Sequence, residues 1–199
     1  MNFEQWQWTN PPQYFEIKEN KITIQTQAHT DLWQRTYYHF QNDNAPMFQM
    51  ATDESHFSFV VKTDFSESKQ RFDQCGIVVY LDSENWLKAS VEYENANFQH
   101  LGSVVTNHGY SDWATCEMPT HCRSVWYRLS RRAQDFRIEY SLDGSRFHQM
   151  RIAHLHAATG KIQFGIYACS PENSSFCAVF SEMALQECQW LAHDGQPPD

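Results

Sequence analysis

Trp86, Lys88 and Glu92 stand at alternate positions of the run Asn85-Trp86-Leu87-Lys88-Ala89-Ser90-Val91-Glu92-Tyr93. If this run is a strand, alternation brings an aromatic ring, a cation and a carboxylate onto one face with Ser90, and turns Leu87, Ala89, Val91 and Tyr93 to the other. Aromatic faces cover the apolar side of a pyranose ring, while carboxylates and cations hydrogen-bond its hydroxyls, so the grouping has the composition of a sugar site. It is also what an ordinary solvated face with a covering tryptophan contains.

Other chemistries find less support. Glycoside hydrolysis needs two carboxylates roughly 5 to 9.5 Å apart, one of them kept protonated, and Glu92, Glu94, Asp112 and Glu139 are the candidates. His154 and His156 could project two imidazoles to one side, without a third ligand nearby in sequence, and Cys116, His121 and Cys122 match no zinc spacing. Gln41-Asn42-Asp43-Asn44 is the nearest approach to a calcium loop. Gly-x-Ser-x-Gly and Gly-rich phosphate loops are absent, so neither a serine nucleophile nor a nucleotide is expected, and no metal or other cofactor is assigned.

The element that must position Trp86, Lys88 and Glu92 is a hairpin over Gln74–Tyr93. Cys75, Ile77, Val79 and Leu81 alternate with Gln74, Gly76, Val78 and Tyr80, and Asp82-Ser83-Glu84-Asn85 supplies polar turn chemistry. Further strands read as 21–27, 56–65, 101–107, 124–132, 135–141, 146–152, 161–169 and about 176–181. Asp143-Gly144 between two of these runs is a strong hairpin signal, because glycine accepts positive φ. His108-Gly109-Tyr110 breaks the strand before Ser111-Asp112-Trp113. No long segment has helical periodicity, and close strand spacing argues for a two-sheet sandwich. No Gly-, Ser- or Pro-rich linker divides the chain, so residues 1–199 read as one all-β domain with a frayed tail from about 190.

A chain of 199 residues buries roughly 70% of its extended surface on folding, enough for a core without staples. The formal charge of -9 opposes the attraction that nucleic acids and anionic membranes require. Arg123, Arg128, Arg131, Arg132 and Arg137 are the local exception, and alternation scatters them over two faces. The first twenty residues lack a basic start followed by an apolar run, and no apolar stretch is long enough to cross a bilayer. The six cysteines show no tight pairwise spacing and read as reduced thiols of a cytoplasmic protein. Without an export signal, the sequon Asn173-Ser174-Ser175 is read as accidental.

Seven phrases occur in order along the chain: Trp33 with Thr36 and Tyr38, Asp73-Gln74-Cys75-Gly76, Asn85-Trp86-Leu87-Lys88-Ala89, Val104-Val105-Thr106-Asn107, Ser111-Asp112-Trp113, Tyr140-Ser141-Leu142-Asp143-Gly144 and Cys169-Ser170-Pro171. Together they resemble the domain-of-unknown-function family that includes the regulation-of-enolase proteins, from Trp6 to about Phe180. The resemblance implies a concanavalin A-like lectin/glucanase jelly roll, a sandwich of two curved antiparallel sheets, one of them concave. It gathers Trp33, Trp86, Lys88, Glu92, Asp112, Trp113 and Arg128 as a ligand-binding set, with Trp86 and Trp113 stacking on the ligand. Glucanases of that superfamily carry an acidic triplet at alternate positions of one strand, and Glu92 and Glu94 supply only two. One departure is Asp43-Asn44-Ala45-Pro46-Met47-Phe48, where similar proteins tend to read Asp-Asn-Gly-His-Phe. The expected function is binding of a carbohydrate or related polar metabolite on the concave face without catalysis. The alternatives are a module that contacts a metabolic enzyme such as enolase, and a glycoside hydrolase.

Overall fold

The structure, a computed structural model, describes residues 1–192; the end of the expected frayed tail, from 193, lies outside the described residues. The strands are β1 (Trp6–Thr9), β2 (Tyr14–Lys18), β3 (Lys21–Gln25), β4 (Leu32–Gln34), β5 (Gln41–Asp43) and β6 (Met47–Thr52). They continue with β7 (His56–Asp64), β8 (Gln74–Asp82), β9 (Asn85–Tyr93), β10 (Phe98–Asn107) and β11 (Tyr110–Pro119). The last are β12 (Ser124–Arg132), β13 (Asp135–Ser141), β14 (His148–His154), β15 (Ile162–Cys169) and β16 (Cys177–Gln186), and no helix occurs among the described residues.

Two seven-stranded antiparallel sheets hold most of these strands: β1-β6-β15-β8-β9-β10-β11, here the first sheet, and β14-β13-β12-β7-β16-β3-β2, the second. Period-two patterning explains the stacking, since each strand turns one set of apolar residues toward the opposite sheet. Cys75, Ile77, Val79, Leu87, Ala89 and Val91 of the first sheet meet Phe57, Phe59, Val61, Tyr127, Leu129 and Ile138 of the second. Phe164 joins them, its ring centroid 4.6 Å from that of Phe57.

The first sheet is buried on its other face too. There Leu32, Ala45, Met47, Val78, Trp86, Val104, Tyr167 and Cys169 form a second apolar cluster. Its cover is the hairpin β4–β5, which pairs only with itself. Burial on both faces leaves β8 and β9 buried at nearly every position, Lys88, Ser90 and Glu92 included.

The hairpin over 74–93 and the strands 124–132 and 135–141 agree with the expected boundaries. The strand expected over 146–152 starts two positions later at His148, after the Asp143-Gly144 turn. The strand expected to end near Ser181 continues to Gln186 through an irregularity between Ser181 and Ala184. Residues 110–119, not read as a strand, form β11. It is an edge strand, exposed at most positions, so it carries little alternating apolar pattern.

Gly76 of β8 faces Ser90 of β9 across the ladder. A Cβ at Gly76 would run into the Ala89 carbonyl oxygen, a backbone atom that cannot swing aside. Gly76→Ala is therefore expected to lower the unfolding free energy by about 3 kcal/mol, as overpacking does. Urea unfolding checks this, and a variant as stable as the parent would contradict the tight approach of β8 to β9.

Candidate functional site

The β4–β5 hairpin acts as a flap over the first sheet. Leu32 packs with Trp86 in the cluster beneath it, and the Gln34 amide donates to Ser111 Oγ at 2.9 Å. Tyr80 OH donates to Asp43 Oδ2 at 2.7 Å. At the tip, Arg35, Tyr37 and His39 take φ of 55°, 79° and 59° without being glycine. Each costs about 1–2 kcal/mol. Arg35 secures the turn by donating through Nη1 to the Gly109 carbonyl at 3.0 Å and through Nη2 to Glu84 at 2.8 Å.

Beside the sealed cluster the flap leaves a cavity of about 410 Å³, lined in part by Asp31, Trp33, Tyr38, Phe72, Gln74, Lys88, Glu92 and Trp113. This is within the range of small-ligand pockets, roughly 300–1,000 Å³. Its position follows from register: Gln74 lies opposite Glu92, and Val104 of β10 lies between Lys88 of β9 and Trp113 of β11. The walls are aromatic. Trp33 stacks parallel to Tyr38 at 6.0 Å and meets Trp113 edge-on at 6.1 Å, and Trp113 is 44% exposed.

The floor is polar and buried. Lys88 Nζ donates to Gln74 Oε1 at 2.9 Å and pairs with Asp31 Oδ1 at 3.4 Å. Tyr167 OH donates to the same Gln74 oxygen at 2.8 Å. The ammonium also lies 5.6 Å and 5.9 Å from the rings of Tyr167 and Trp86. Burial works against its charge, yet Asp31 and Glu92 are among the groups that more than offset this, and Lys88 is held charged above its ordinary value. Glu92 behaves in the opposite sense. Burial is the largest cause and raises its carboxyl to about 7, with Lys88 pulling it down and Asp31 pushing it up. Tyr38 is also raised, mainly by burial and then by Asp31.

Trp33, Lys88, Glu92, Asp112 and Trp113 therefore border one cavity. The Asp112 side chain is nonetheless 73% exposed, and its Oδ1 pairs at 3.1 Å with Arg151 of the second sheet. Trp86 is where alternation put it but has no exposed surface, so its expected stacking on a ligand is corrected: the flap covers its face. Arg128 is corrected as well. It belongs to β12 in the second sheet, grips Glu139 through Nε at 2.6 Å and Nη2 at 2.9 Å, and lies over Phe147. Arg131 is buried and spends its guanidinium on the carbonyls of Ala133, Glu54, Ala158 and Gly160.

Asp31, Tyr38, Phe72 and Gln74 escaped the reading from sequence as site residues. Gln74 alone had a signal, because the hairpin register sets it opposite Glu92. His108 stacks on His156, which meets His154, yet no group of three His, Cys, Asp or Glu suited to a metal occurs among the described residues.

The two sheets and their order define a jelly-roll β-sandwich of the concanavalin A-like type. The model of a family described as "Protein of unknown function (DUF1349)" matches residues 8–188, and the chain belongs to that family. It is 32% identical over 178 residues to "Regulation of enolase protein 1" of Saccharomyces cerevisiae, an alignment covering 89% of this chain and 87% of the relative. The solved structure of a functionally unknown protein from Saccharomyces cerevisiae superposes with a TM-score of 0.85 at 30% identity, covering 94% of this chain and 98% of that one. The carbohydrate binding module CBM66 from Bacillus subtilis has the same fold, with a TM-score of 0.55 at 12% identity over 92% of this chain and 96% of the module.

Between the ordinary value of 4.5 and about 7, folded Glu92 keeps a proton that the unfolded chain has released. Its contribution to stability therefore falls as pH rises through that window, by about 3 kcal/mol in total. Glu92→Gln should flatten this part of the profile. Urea unfolding at several pH values checks it, and parallel curves for parent and variant would contradict the buried carboxyl.

Proposed function

We propose that the chain binds a neutral carbohydrate, or a polar metabolite of the same polyhydroxy kind, in the cavity under the β4–β5 flap, and does not hydrolyse it. The single observation that carries this reading is the cavity's division of labour: aromatic walls from Trp33, Tyr38 and Trp113 above a floor of Lys88, Gln74, Asp31 and Glu92. A sugar ring presents apolar C–H faces to such walls and hydroxyls to such a floor.

Charge favours a neutral ligand. Among the described residues that line the cavity, the one ammonium is shared between Asp31 and Gln74, and Glu92 is about half ionised near pH 7. A phosphate or carboxylate ligand would find no cation to spare. The other two carboxylates of the lining are held in ion pairs, Asp31 with Lys88 and Asp112 with Arg151, which suits fixed acceptors for ligand hydroxyls. A carbohydrate binding module among the proteins of this fold adds support by analogy alone.

A second reading, a module that contacts a metabolic enzyme, has support from the name of the yeast relative and from the flap tip. There Tyr37 is 93% exposed, with Tyr38 and Phe40 beside it. Aromatic residues of this kind anchor protein interfaces. Six unpaired thiols fit the cytoplasmic setting proposed for either role.

A thermal-shift screen of the full chain against neutral saccharides and sugar phosphates tests the reading. A neutral ligand at about a hundred times its dissociation constant should add ~2.7 kcal/mol and raise Tm by ~5–10 °C. Trp113→Ala should abolish the shift and leave the fold intact, and sugar phosphates should give none. A flat response to every saccharide, with immobilised chain retaining purified enolase, would replace the carbohydrate reading by the second.

A further inference from the structure

A second depression adjoins the cavity, an open groove of about 940 Å³ lined mainly by residues with polar side chains. Three chain segments contribute to both. Segment 25–31 sends Gln27 to the groove and Asp31 to the cavity; segment 69–74 sends Gln70 to the groove and Phe72 and Gln74 to the cavity; segment 171–175 sends Asn173 to the groove and Pro171 to the cavity. The ridge between the two depressions is tied together from within. The Thr30 amide donates to the Ser170 carbonyl at 3.2 Å, the His29 amide to the Glu172 carbonyl at 3.3 Å, and Ser174 Oγ to Asp73 Oδ2 at 3.1 Å. Buried Asp73 also accepts the Lys69 and Gln70 amides at 3.1 Å and 2.9 Å. Phe72 sits on this ridge with φ of 67°.

The groove's chemistry differs from that of the cavity. Among the described residues, carboxamides and hydroxyls dominate its lining, with Lys69 as the one charged side chain and no carboxylate. Amides donate and accept at once, which suits hydroxyl groups of either polarity. Tyr14, 71% exposed, supplies a ring face. Gln70 and Asn173 are exposed, and their side chains make no hydrogen bond to other described residues.

We infer that the ligand is an oligosaccharide whose terminal unit enters the cavity and whose following units cross the ridge at Phe72 and lie in the amide-lined groove. This rests on the carbohydrate reading and extends it from a single sugar to a chain end. A small cavity with aromatic walls and a larger amide-lined groove stand side by side across a ridge that three segments share, and this juxtaposition carries the inference. A protein partner would find neither a charge pattern nor an apolar patch in the groove.

Calorimetric titration of the full chain with cello-, xylo- and fructo-oligosaccharides of one to about five units tests the inference. In the series that binds, affinity should rise about tenfold or more between the shortest ligand and the tetramer. The double variant Gln70→Ala, Asn173→Ala should return the tetramer to the affinity of the shortest ligand while leaving the latter unchanged. A dissociation constant independent of length, or a gain that survives in the double variant, would overturn the groove and leave the cavity reading standing. Failure of every saccharide of every length would overturn both.

Discussion

A lysine ammonium held in the buried face of a β-sheet governs the architecture around it. Taken from water without partners, such a charge costs several kcal/mol or neutralises itself. Here Lys88 keeps its charge against the cost of burial because Asp31, at the base of a separate hairpin, reaches down to it and Glu92 lies nearby, while Gln74 accepts its hydrogen bond. Asp31 can do so only if the flap lies over the first sheet. The flap in turn holds three non-glycine residues in left-handed conformations, secured by Arg35 and by the burial of Leu32 on Trp86. Charge, flap and cavity are thus mutually dependent.

The same dependence accounts for the state of Glu92. With Asp31 already paired to Lys88, a second full negative charge on the floor is poorly compensated, and burial raises the Glu92 carboxyl toward neutrality. A protonated carboxyl donates where a carboxylate only accepts. Near neutral pH the floor therefore offers donors and acceptors together, which matches hydroxyl groups better than any ion.

Much of this was legible in the sequence, where local rules decide the outcome. Parity along 85–93 placed Trp86, Lys88 and Glu92 on one face, and Asp143-Gly144 marked a hairpin between strands that the structure contains. What escaped was the consequence of remote segments meeting. Nothing within 85–93 says that Leu32 will cover Trp86, and nothing within 124–132 says that pairing with β7 will carry Arg128 to the other sheet. The flap tip has no glycine at its left-handed positions, so its turn gives no compositional signal. β11 carries Trp113 to the cavity, yet its exposed edge lacks the alternation that betrays a buried strand. Ordered motifs recovered the family and fold, because they sample the whole chain.

The most direct measurement is a crystal structure of the chain with the tightest neutral saccharide that solution binding identifies. A sugar ring packed against the wall that Trp33 and Trp113 form, with hydroxyls within hydrogen-bonding distance of Lys88, Gln74 or Glu92, is the predicted result. A ligand bound elsewhere on the molecule, with the cavity under the flap empty, would contradict the account.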